Sequence, residues 1–223
     1  MSTGRPRAEA GAPRTVLLTG FGPFGAEAFN PSEHVVRALD GERLADGLQV
    51  RGRVLPVAFD AARAALEADF ASHGVPALAL GLGLAASRCE LSVERVALNL
   101  ADAPIPDADG SQPIDRPLAA SGPPARFATW PAKAVAAALR AAGHPAGLSL
   151  SAGSHVCNAV LYALLERLEP LGVPAGFLHL PRVAVWPIER QVEAVRLALV
   201  TAAAAPTAAP AGTAPPGLGG AID

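Results

Sequence analysis

The sequence predicts a single-domain α/β fold with an open, twisted, mostly parallel sheet sandwiched between helices. Two observations lead to this fold class. Short aliphatic runs alternate along the chain with longer Ala-rich segments of helical period, which is typical of a mostly parallel sheet covered by helices. The length of 223 residues suits one domain, and a hydrophobic content of 51% is enough to fill its core.

The predicted elements follow in the order β-α-β-α-β-β-α-β-α-β-α. Aliphatic runs predict strands over residues 15–19, 49–58, 77–83, 93–100, 147–152 and 175–180. Helical period predicts helices over residues 31–39, 60–72, 131–142, 156–168 and 188–203. The first helix has the clearest start, because Asn30 can cap it, Pro31 suits its first position and Glu33 follows three residues after the cap.

Both ends of the chain are predicted to lie outside the α/β domain of residues 14–201. Residues 1–13 are small and polar and form a flexible N-terminal segment. Residues 202–223 form an Ala/Pro/Gly-rich C-terminal tail, whose repeated prolines disfavour helix and sheet. Within the domain, residues 101–128 contain turn residues throughout, and a loop of this length is usually functional or mobile.

The composition argues against several kinds of partner. Lys and Arg number 18 and Asp and Glu 20, and aromatic residues make up only 4%, so neither a basic surface nor a stacking platform for nucleic acid is expected. No run of about 18 apolar residues indicates a membrane span, and the N-terminal residues lack the apolar part of a secretory signal. Two cysteines without zinc spacing predict no metal site, no disulfide framework and a cytoplasmic location.

The glycines at 20, 22 and 25 match the GxGxxG pattern of dinucleotide-binding proteins, but the context differs. In that motif the helix begins at the second glycine, so that its amide groups meet the pyrophosphate. Here Pro23 intervenes, the helix begins near Pro31, and no acidic residue closes the second strand. We therefore expect no nicotinamide cofactor. The glycines are better explained by a tight loop, which leaves Phe21 and Phe24 unexplained.

Cys157 lies just after a predicted strand, in the first turn of a predicted helix. A helix N-terminus lowers the pKa of a thiol and offers amide groups for an oxyanion, although a small core residue is an equally good interpretation from position alone. A nucleophilic thiol needs a base, and His179 is the best candidate, since it ends a strand on the predicted sheet edge that also holds the start of the Cys157 helix. A buried histidine bonded to the main chain is the alternative.

Glu94 is the candidate that would orient this base. A carboxylate in an apolar strand is costly unless it is paired, while Arg95 points to the other face of the strand. A surface salt bridge is the alternative interpretation of Glu94. Spacing alone therefore makes Cys157, His179 and Glu94 a plausible set of nucleophile, base and acid, and no more.

Five segments, in order and with similar spacing over about residues 15–200, carry a resemblance to a known family. They are VLLTGFGPFGAEAFNPS from Val16, GLAASR from Gly83, ERVALNLADAPIPDADGSQPID from Glu94, SAGSHVCNAVLYALL from Ser151 and GFLHLP from Gly176. Together they resemble the pyroglutamyl peptidase I family, also called pyrrolidone-carboxylate peptidases. The ERVAxN, IPDxxGxQP and AGxxVCN patterns are the most specific parts.

The resemblance implies a cysteine-type omega-peptidase that removes N-terminal pyroglutamyl residues from peptides through a thioester. It assigns the nucleophile to Cys157, the base to His179 and the acid to Glu94, and makes residues 14–201 the catalytic domain. It also implies an α/β fold, no cofactor, and a homo-oligomer, since members of the family often assemble as homotetramers.

The resemblance further implies that the pyroglutamyl ring packs against Phe21 and Phe24. Other positions that line or flank this pocket in the family are Leu84, Ile105 and His155. Here the chain departs from the family pattern, with Leu84 for Gln, Pro104 for Arg and His155 for Phe, and with Ala86 and Ser87 for two glycines. These departures leave two alternatives open, a divergent member that hydrolyses another small acyl or amide substrate and a non-catalytic binding protein on the same fold.

Overall fold

A six-stranded mixed sheet forms the centre of the protein. The computed structural model describes residues 14–44 and 47–205, so the predicted N-terminal segment 1–13 and residues 206–223 of the predicted tail lie outside the described residues. The strands of the sheet are β1 (Thr15–Phe21), β2 (Gln49–Leu55), β3 (Leu78–Leu84), β4 (Leu91–Glu94), β7 (Ala146–Ser149) and β8 (Ala175–Leu180). Their order is β2-β1-β3-β8-β4-β7.

Strand direction divides the sheet into two parts. Strands β2, β1, β3 and β8 are parallel, whereas β4 pairs antiparallel with β8 and parallel with β7. Two short strands, β5 (Val96–Leu98) and β6 (Ala125–Phe127), form a separate antiparallel pair. The fold class predicted from the sequence is therefore confirmed, with two strands running against the others.

Helices cover both faces of the sheet. They are α1 (Pro31–Leu39), α2 (Phe59–His73), α3 (Ala132–Ala141), α4 (Val156–Leu168) and α5 (Ile188–Ala204). The buried residues of α1, α3 and α5 form one apolar cluster with the sheet, and those of α2 and α4 form a second cluster on the other face. Among the described residues, no helix is both long enough and apolar enough to cross a membrane.

The start of α1 explains the first glycine of the GxGxxG pattern. As predicted, Asn30 caps the helix, and its side chain accepts a hydrogen bond from the Ser32 amide at 3.1 Å. The Ser32 hydroxyl in turn accepts a bond from the Phe21 amide at 2.9 Å. A Cβ atom on Gly20 would lie only 2.6 Å from the Ser32 carbonyl oxygen. Gly20 therefore allows α1 to pack closely on β1.

Four predictions of element bounds are wrong. The predicted strand 93–100 is two strands, because the chain leaves the main sheet at Arg95 and β5 then pairs with β6, inside the predicted loop 101–128. The predicted strands 49–58 and 147–152 end earlier, at Leu55 and Ser149, and Pro56 explains the first of these because proline has no amide hydrogen to donate. Helix α5 runs to Ala204, so residues 202–204 are helical rather than part of an irregular tail.

Candidate active site

Strand alternation places the candidate acid and base on the face of the sheet that α4 covers. In the register of the sheet, His179 of β8 lies opposite Gly83 of β3 and opposite Ser92 of β4, and Phe177 lies opposite Glu94. Successive side chains of a strand point to opposite faces. His179, Phe177, Glu94 and Gly83 therefore share one face, and Phe177 belongs to the α2 and α4 cluster.

Glu94 and His179 form a buried hydrogen bond. Nδ1 of His179 lies 2.8 Å from Oε1 of Glu94, and the imidazole is only 5% exposed while the carboxylate is fully buried. Because an ionised carboxylate can only accept, Nδ1 carries the proton and Nε2 is left for another partner. This is the orientation that a catalytic base requires.

The same surroundings set the protonation of His179. Burial lowers the pKa of the imidazole, but its hydrogen bonds to Cys157 and Glu94 and the negative charges of both groups outweigh burial and raise the pKa to about 9. The imidazole is therefore protonated at neutral pH. The pKa of Glu94 shifts down, because His179, Ser149 and Arg88 together outweigh the effect of burial, which raises it.

Cys157 is the second residue of α4, as predicted. No side-chain hydrogen bond caps this helix within the described part of the chain, so the amide groups of its first turn are available to a ligand. The thiol lies against β3, and a Cβ atom on Gly83 would be 2.8 Å from Sγ of Cys157. The absence of a side chain at Gly83 therefore makes room for the thiol.

The start of α4 lies near His179, as expected, because Cys157 contacts Gly83 and Gly83 is opposite His179. The strand before α4 does not end there, because β7 is parallel to β4 and therefore runs against β8. Ser149 at the end of β7 is level with Glu94, which in turn is opposite Phe177. Residues 150–155 then cross part of the sheet face and bring the start of α4 over β3.

Arg88 is a member of the cluster that sequence reasoning missed. Its Nη1 donates to Oε1 of Glu94 at 2.7 Å, and its Nη2 donates to the Ser151 carbonyl oxygen at 3.3 Å. Glu94 does form a salt bridge, but not at the surface as the alternative supposed. Its carboxylate is inaccessible, although the arginine is one-third exposed. The signal in the sequence was a carboxylate in an apolar strand with an arginine six residues before it.

A group of aromatic rings lies beside the start of α4. The ring of His155, the N-cap residue of α4, is 5.7 Å from the ring of Phe24 and 5.3 Å from that of Phe59. Nε2 of His155 is 3.3 Å from the Ile105 carbonyl oxygen. The structure thus brings Phe24, Ile105 and His155 together, and Phe59, which was not predicted, joins them.

The other predicted pocket residues occupy different environments. Phe21 ends β1 rather than lying in a loop, and its ring is 2% exposed within the apolar core. Phe29, which belongs to the same Phe-rich stretch, stacks on His34 with ring centroids 4.0 Å apart. Leu84 is half-buried at the end of β3, next to Gly83. Of the three phenylalanines, Phe24 is the one in contact with His155.

Asp107 holds the long loop against the start of α2. Its carboxylate accepts hydrogen bonds from the amide groups of Phe59 at 2.9 Å, Asp109 at 3.0 Å and Ser111 at 2.8 Å. Burial raises the pKa of Asp107, but these bonds and the charge of His155 outweigh it and lower the pKa. Asp107 was not predicted, because bonds to main-chain amides leave little trace in a sequence.

A family comparison agrees with this geometry. The family model described as pyroglutamyl peptidase matches residues 14–210 of the chain. The chain belongs to the pyroglutamyl peptidase family. This confirms the resemblance inferred from the five segments, and with it the predicted class of cysteine peptidase acting on N-terminal pyroglutamate.

Individual relatives of this pyroglutamyl peptidase family member are similar over most of their length. The pyrrolidone-carboxylate peptidase of Cupriavidus pinatubonensis is 46% identical over 201 residues, which are 84% of this chain and 92% of that protein. The pyrrolidone-carboxylate peptidase of Chromobacterium violaceum is 51% identical over 168 residues, 75% of this chain and 78% of that protein.

Solved structures with the same fold include two enzymes of the family. The pyrrolidone carboxyl peptidase from Thermococcus litoralis superposes with a TM-score of 0.80 at 34% identity, covering 85% of this chain and 93% of that one. The pyroglutamyl peptidase I of Bacillus amyloliquefaciens has a TM-score of 0.80 at 32% identity, covering 86% and 98%. In the described part of this chain, no three His, Cys, Asp or Glu side chains are grouped so that they could hold a metal ion.

Proposed function

We propose that the protein removes N-terminal pyroglutamyl residues from peptides with Cys157 as nucleophile, His179 as general acid and base, and Glu94 as the acid that orients His179. The observation that carries this proposal is the buried bond between Glu94 and His179 beside a thiol at an uncapped helix start. Each group has the partner that its role requires.

The first half of the reaction forms a thioester. The raised pKa of His179 supports an imidazolium beside the sulfur of Cys157, which reacts as the thiolate. The thiolate attacks the acyl carbon that joins pyroglutamate to the next residue, and amide groups of the first turn of α4 stabilise the resulting oxyanion. The imidazolium donates its Nε2 proton to the departing amine as the carbon–nitrogen bond breaks.

The second half regenerates the enzyme. A water molecule enters, His179 takes one of its protons, and the hydroxide attacks the thioester carbon. The carbon–sulfur bond then breaks, which releases pyroglutamic acid and returns the sulfur as a thiolate beside the imidazolium. Glu94 holds the same Nδ1 proton throughout and stabilises the positive ring in both halves.

We assign recognition of the pyroglutamyl ring to Phe24, Leu84, Ile105 and His155. Phe21, also expected in this pocket, is 2% exposed within the apolar core and is assigned no direct contact with the ring. The contacts of His155 with Phe24 and with the Ile105 carbonyl oxygen support one shared cleft next to Cys157. A small, flat, uncharged lactam suits packing between rings better than a charged pocket.

The experiment is the release of a chromophoric amine from a pyroglutamyl amide by the purified full chain. We expect turnover by the wild type, loss of turnover in Cys157→Ser, and unchanged turnover in Cys89→Ser, because Cys89 is an exposed free thiol outside the site. A prolyl amide and a glutamyl amide should not be cleaved. Failure of the folded wild type to cleave the pyroglutamyl amide, or equal cleavage of the prolyl amide, would overturn the proposal.

We also infer a cytoplasmic homo-oligomer, a tetramer in keeping with the family resemblance. Edge strand β7 exposes Leu148 and the following Leu150, and an apolar sheet edge favours pairing with another chain. Both cysteines are free thiols, which suits a reducing compartment. Light scattering measures the mass directly, and a monomer at micromolar concentration would contradict the assembly.

A further inference from the structure

Arg88 lies in the connection between β3 and β4 and touches two parts of the site at once. Its guanidinium bonds to Oε1 of Glu94 at 2.7 Å and to the carbonyl oxygen of Ser151 at 3.3 Å. Ser151 belongs to the crossing segment 150–155 that leads to Cys157. One side chain therefore links the acid of the proposed triad to the segment that places its nucleophile.

Two donors share a single carboxylate oxygen. Nδ1 of His179 lies 2.8 Å from Oε1 of Glu94, and Nη1 of Arg88 lies 2.7 Å from the same atom. Arginine stays protonated throughout the working pH range, so its charge is constant. Because the guanidinium partly neutralises Glu94, the carboxylate stabilises the imidazolium less strongly than it would alone.

Several charged side chains of the described residues surround His179. Glu94 of β4 and Cys157 of α4 lie against the imidazole, and Arg88 bonds to the same oxygen of Glu94 as the imidazole does. When Cys157 is a thiolate and His179 an imidazolium, the negative charges of Cys157 and Glu94 balance the positive charges of His179 and Arg88. Removing Arg88 makes the site more negative, which favours the protonated forms of both the thiol and the imidazole.

We propose that Arg88 is a positioning residue of this reaction, which holds Glu94 in place and sets the pH range in which the Cys157 and His179 pair is active. This inference rests on the proposed function for its kinetic test. Arg88 acts only through Glu94 and Ser151 and does not itself touch the reacting atoms.

The test compares Arg88→Gln and Arg88→Lys in a Cys89→Ser background, so that Cys157 is the single thiol. In Arg88→Gln we expect both limbs of the pH profile of kcat/KM to move to higher pH by about 1 unit, because the loss of a nearby positive charge favours the protonated forms and shifts a pKa by about that much. Arg88→Lys keeps the charge but loses the forked geometry, so it should keep the wild-type pH profile at a reduced kcat.

A second readout does not depend on the substrate. The rate at which iodoacetamide alkylates Cys157 follows the thiolate, and its pH dependence should move upward in Arg88→Gln and stay in place in Arg88→Lys. If no pyroglutamyl substrate were cleaved, this readout would still test Arg88, so failure of the proposed function is distinguishable from failure of this inference.

A matched control is Arg196→Gln, which removes an arginine paired with Glu42 at 2.6 Å on a surface outside the site. It should leave both pH profiles unchanged. An Arg88→Gln variant whose alkylation profile coincides with that of the wild type would overturn the inference. A shift of the pH profile in Arg88→Lys as large as in Arg88→Gln would also overturn it, because lysine keeps the positive charge and the shift could then not be caused by its loss. Thermal unfolding of each variant checks that it is folded.

Discussion

The thiol of Cys157 occupies the space that a side chain on Gly83 would fill. A Cβ atom at that position would lie 2.8 Å from Sγ, closer than the two atoms can approach. Because Gly83 lies opposite His179 in the sheet, the missing side chain also allows the thiol to sit over the strand beside the imidazole.

Gly83→Ala should therefore displace the nucleophile. We expect kcat/KM to fall by about 100-fold, the effect of a misplacement of about 1 Å, with a loss of about 1–3 kcal/mol in the free energy of unfolding from overpacking. Gly52→Ala is the matched control, because its Cβ would lie 3.0 Å from side chains of α1 and its C-cap, outside the site. It should lose stability and keep kcat. Full activity of a folded Gly83→Ala would contradict this account of the thiol.

The raised pKa of His179 predicts how activity falls at high pH. A group with a raised pKa keeps its proton to higher pH, and this proton leaves as the pH rises through about 9. Above that pH the imidazole can no longer protonate the departing amine, so kcat/KM should decline with a midpoint near 9. A decline centred near 6.5, the ordinary value for histidine, would show that Cys157 and Glu94 do not stabilise the imidazolium.

Glu94→Gln tests the acid of the proposed triad. The amide keeps the shape of the side chain, but it removes the negative charge and one cause of the raised pKa of His179. We expect the alkaline decline to move to lower pH, the opposite direction to Arg88→Gln. Activity should fall by as much as about 10⁴-fold, the effect of the same change in a serine protease triad. Kinetics at several pH values measure both effects, and an unchanged rate would remove Glu94 from the mechanism.

Asp107→Asn should loosen the cleft without altering the triad. An asparagine offers one acceptor oxygen where three amide groups now share a carboxylate, so the loop loses part of its attachment to α2. We expect a higher KM with a smaller change in kcat, and faster cleavage of residues 101–124 in limited proteolysis. Asp109→Asn, two residues further along and exposed, is the control and should behave like the wild type. Equal behaviour of the two variants would contradict the role of Asp107.

His155 tests the aromatic cleft. His155→Ala removes the ring that contacts Phe24 and Phe59, and we expect KM for a pyroglutamyl amide to rise about tenfold, since an aromatic contact contributes about 0.5–1.5 kcal/mol beyond burial. His155→Phe restores the residue usual in the family and should keep the ring contacts and a low KM. Phe29→Ala, whose ring stacks on His34, should leave KM unchanged. A large rise in KM in Phe29→Ala would contradict this pocket and indicate that the substrate binds nearer to Phe29, in the connection between β1 and α1.

The sequence predicted what depends on local pattern. Aliphatic and helical periods gave the fold class, and the capping residues Asn30 and Pro31 placed the start of α1. The buried carboxylate, the strand-end histidine and the thiol in the first helical turn are unusual for their surroundings, and the structure brings Glu94 and His179 together within hydrogen-bond distance. The family resemblance added the activity.

What the sequence could not give depends on strand direction and on contacts with the main chain. Nothing local indicates that β4 and β7 run against the other strands of the sheet. The chain leaves the main sheet at Arg95, and the side chain of Asn158 on α4 then bonds the Leu98 amide and carbonyl and so holds β5 outside that sheet. Arg88 and Asp107 also bond main-chain groups that are distant in sequence, the Ser151 carbonyl oxygen and the Phe59 amide, and such bonds leave no pattern of side chains to read.

The crossing segment 150–155 ties the edge of the sheet to the chemistry at its centre. β7 is an edge strand, paired on one side only, yet the six residues that follow it set where the nucleophile stands. The position of the outer edge of the sheet and the position of the thiol are therefore linked through only six residues of backbone.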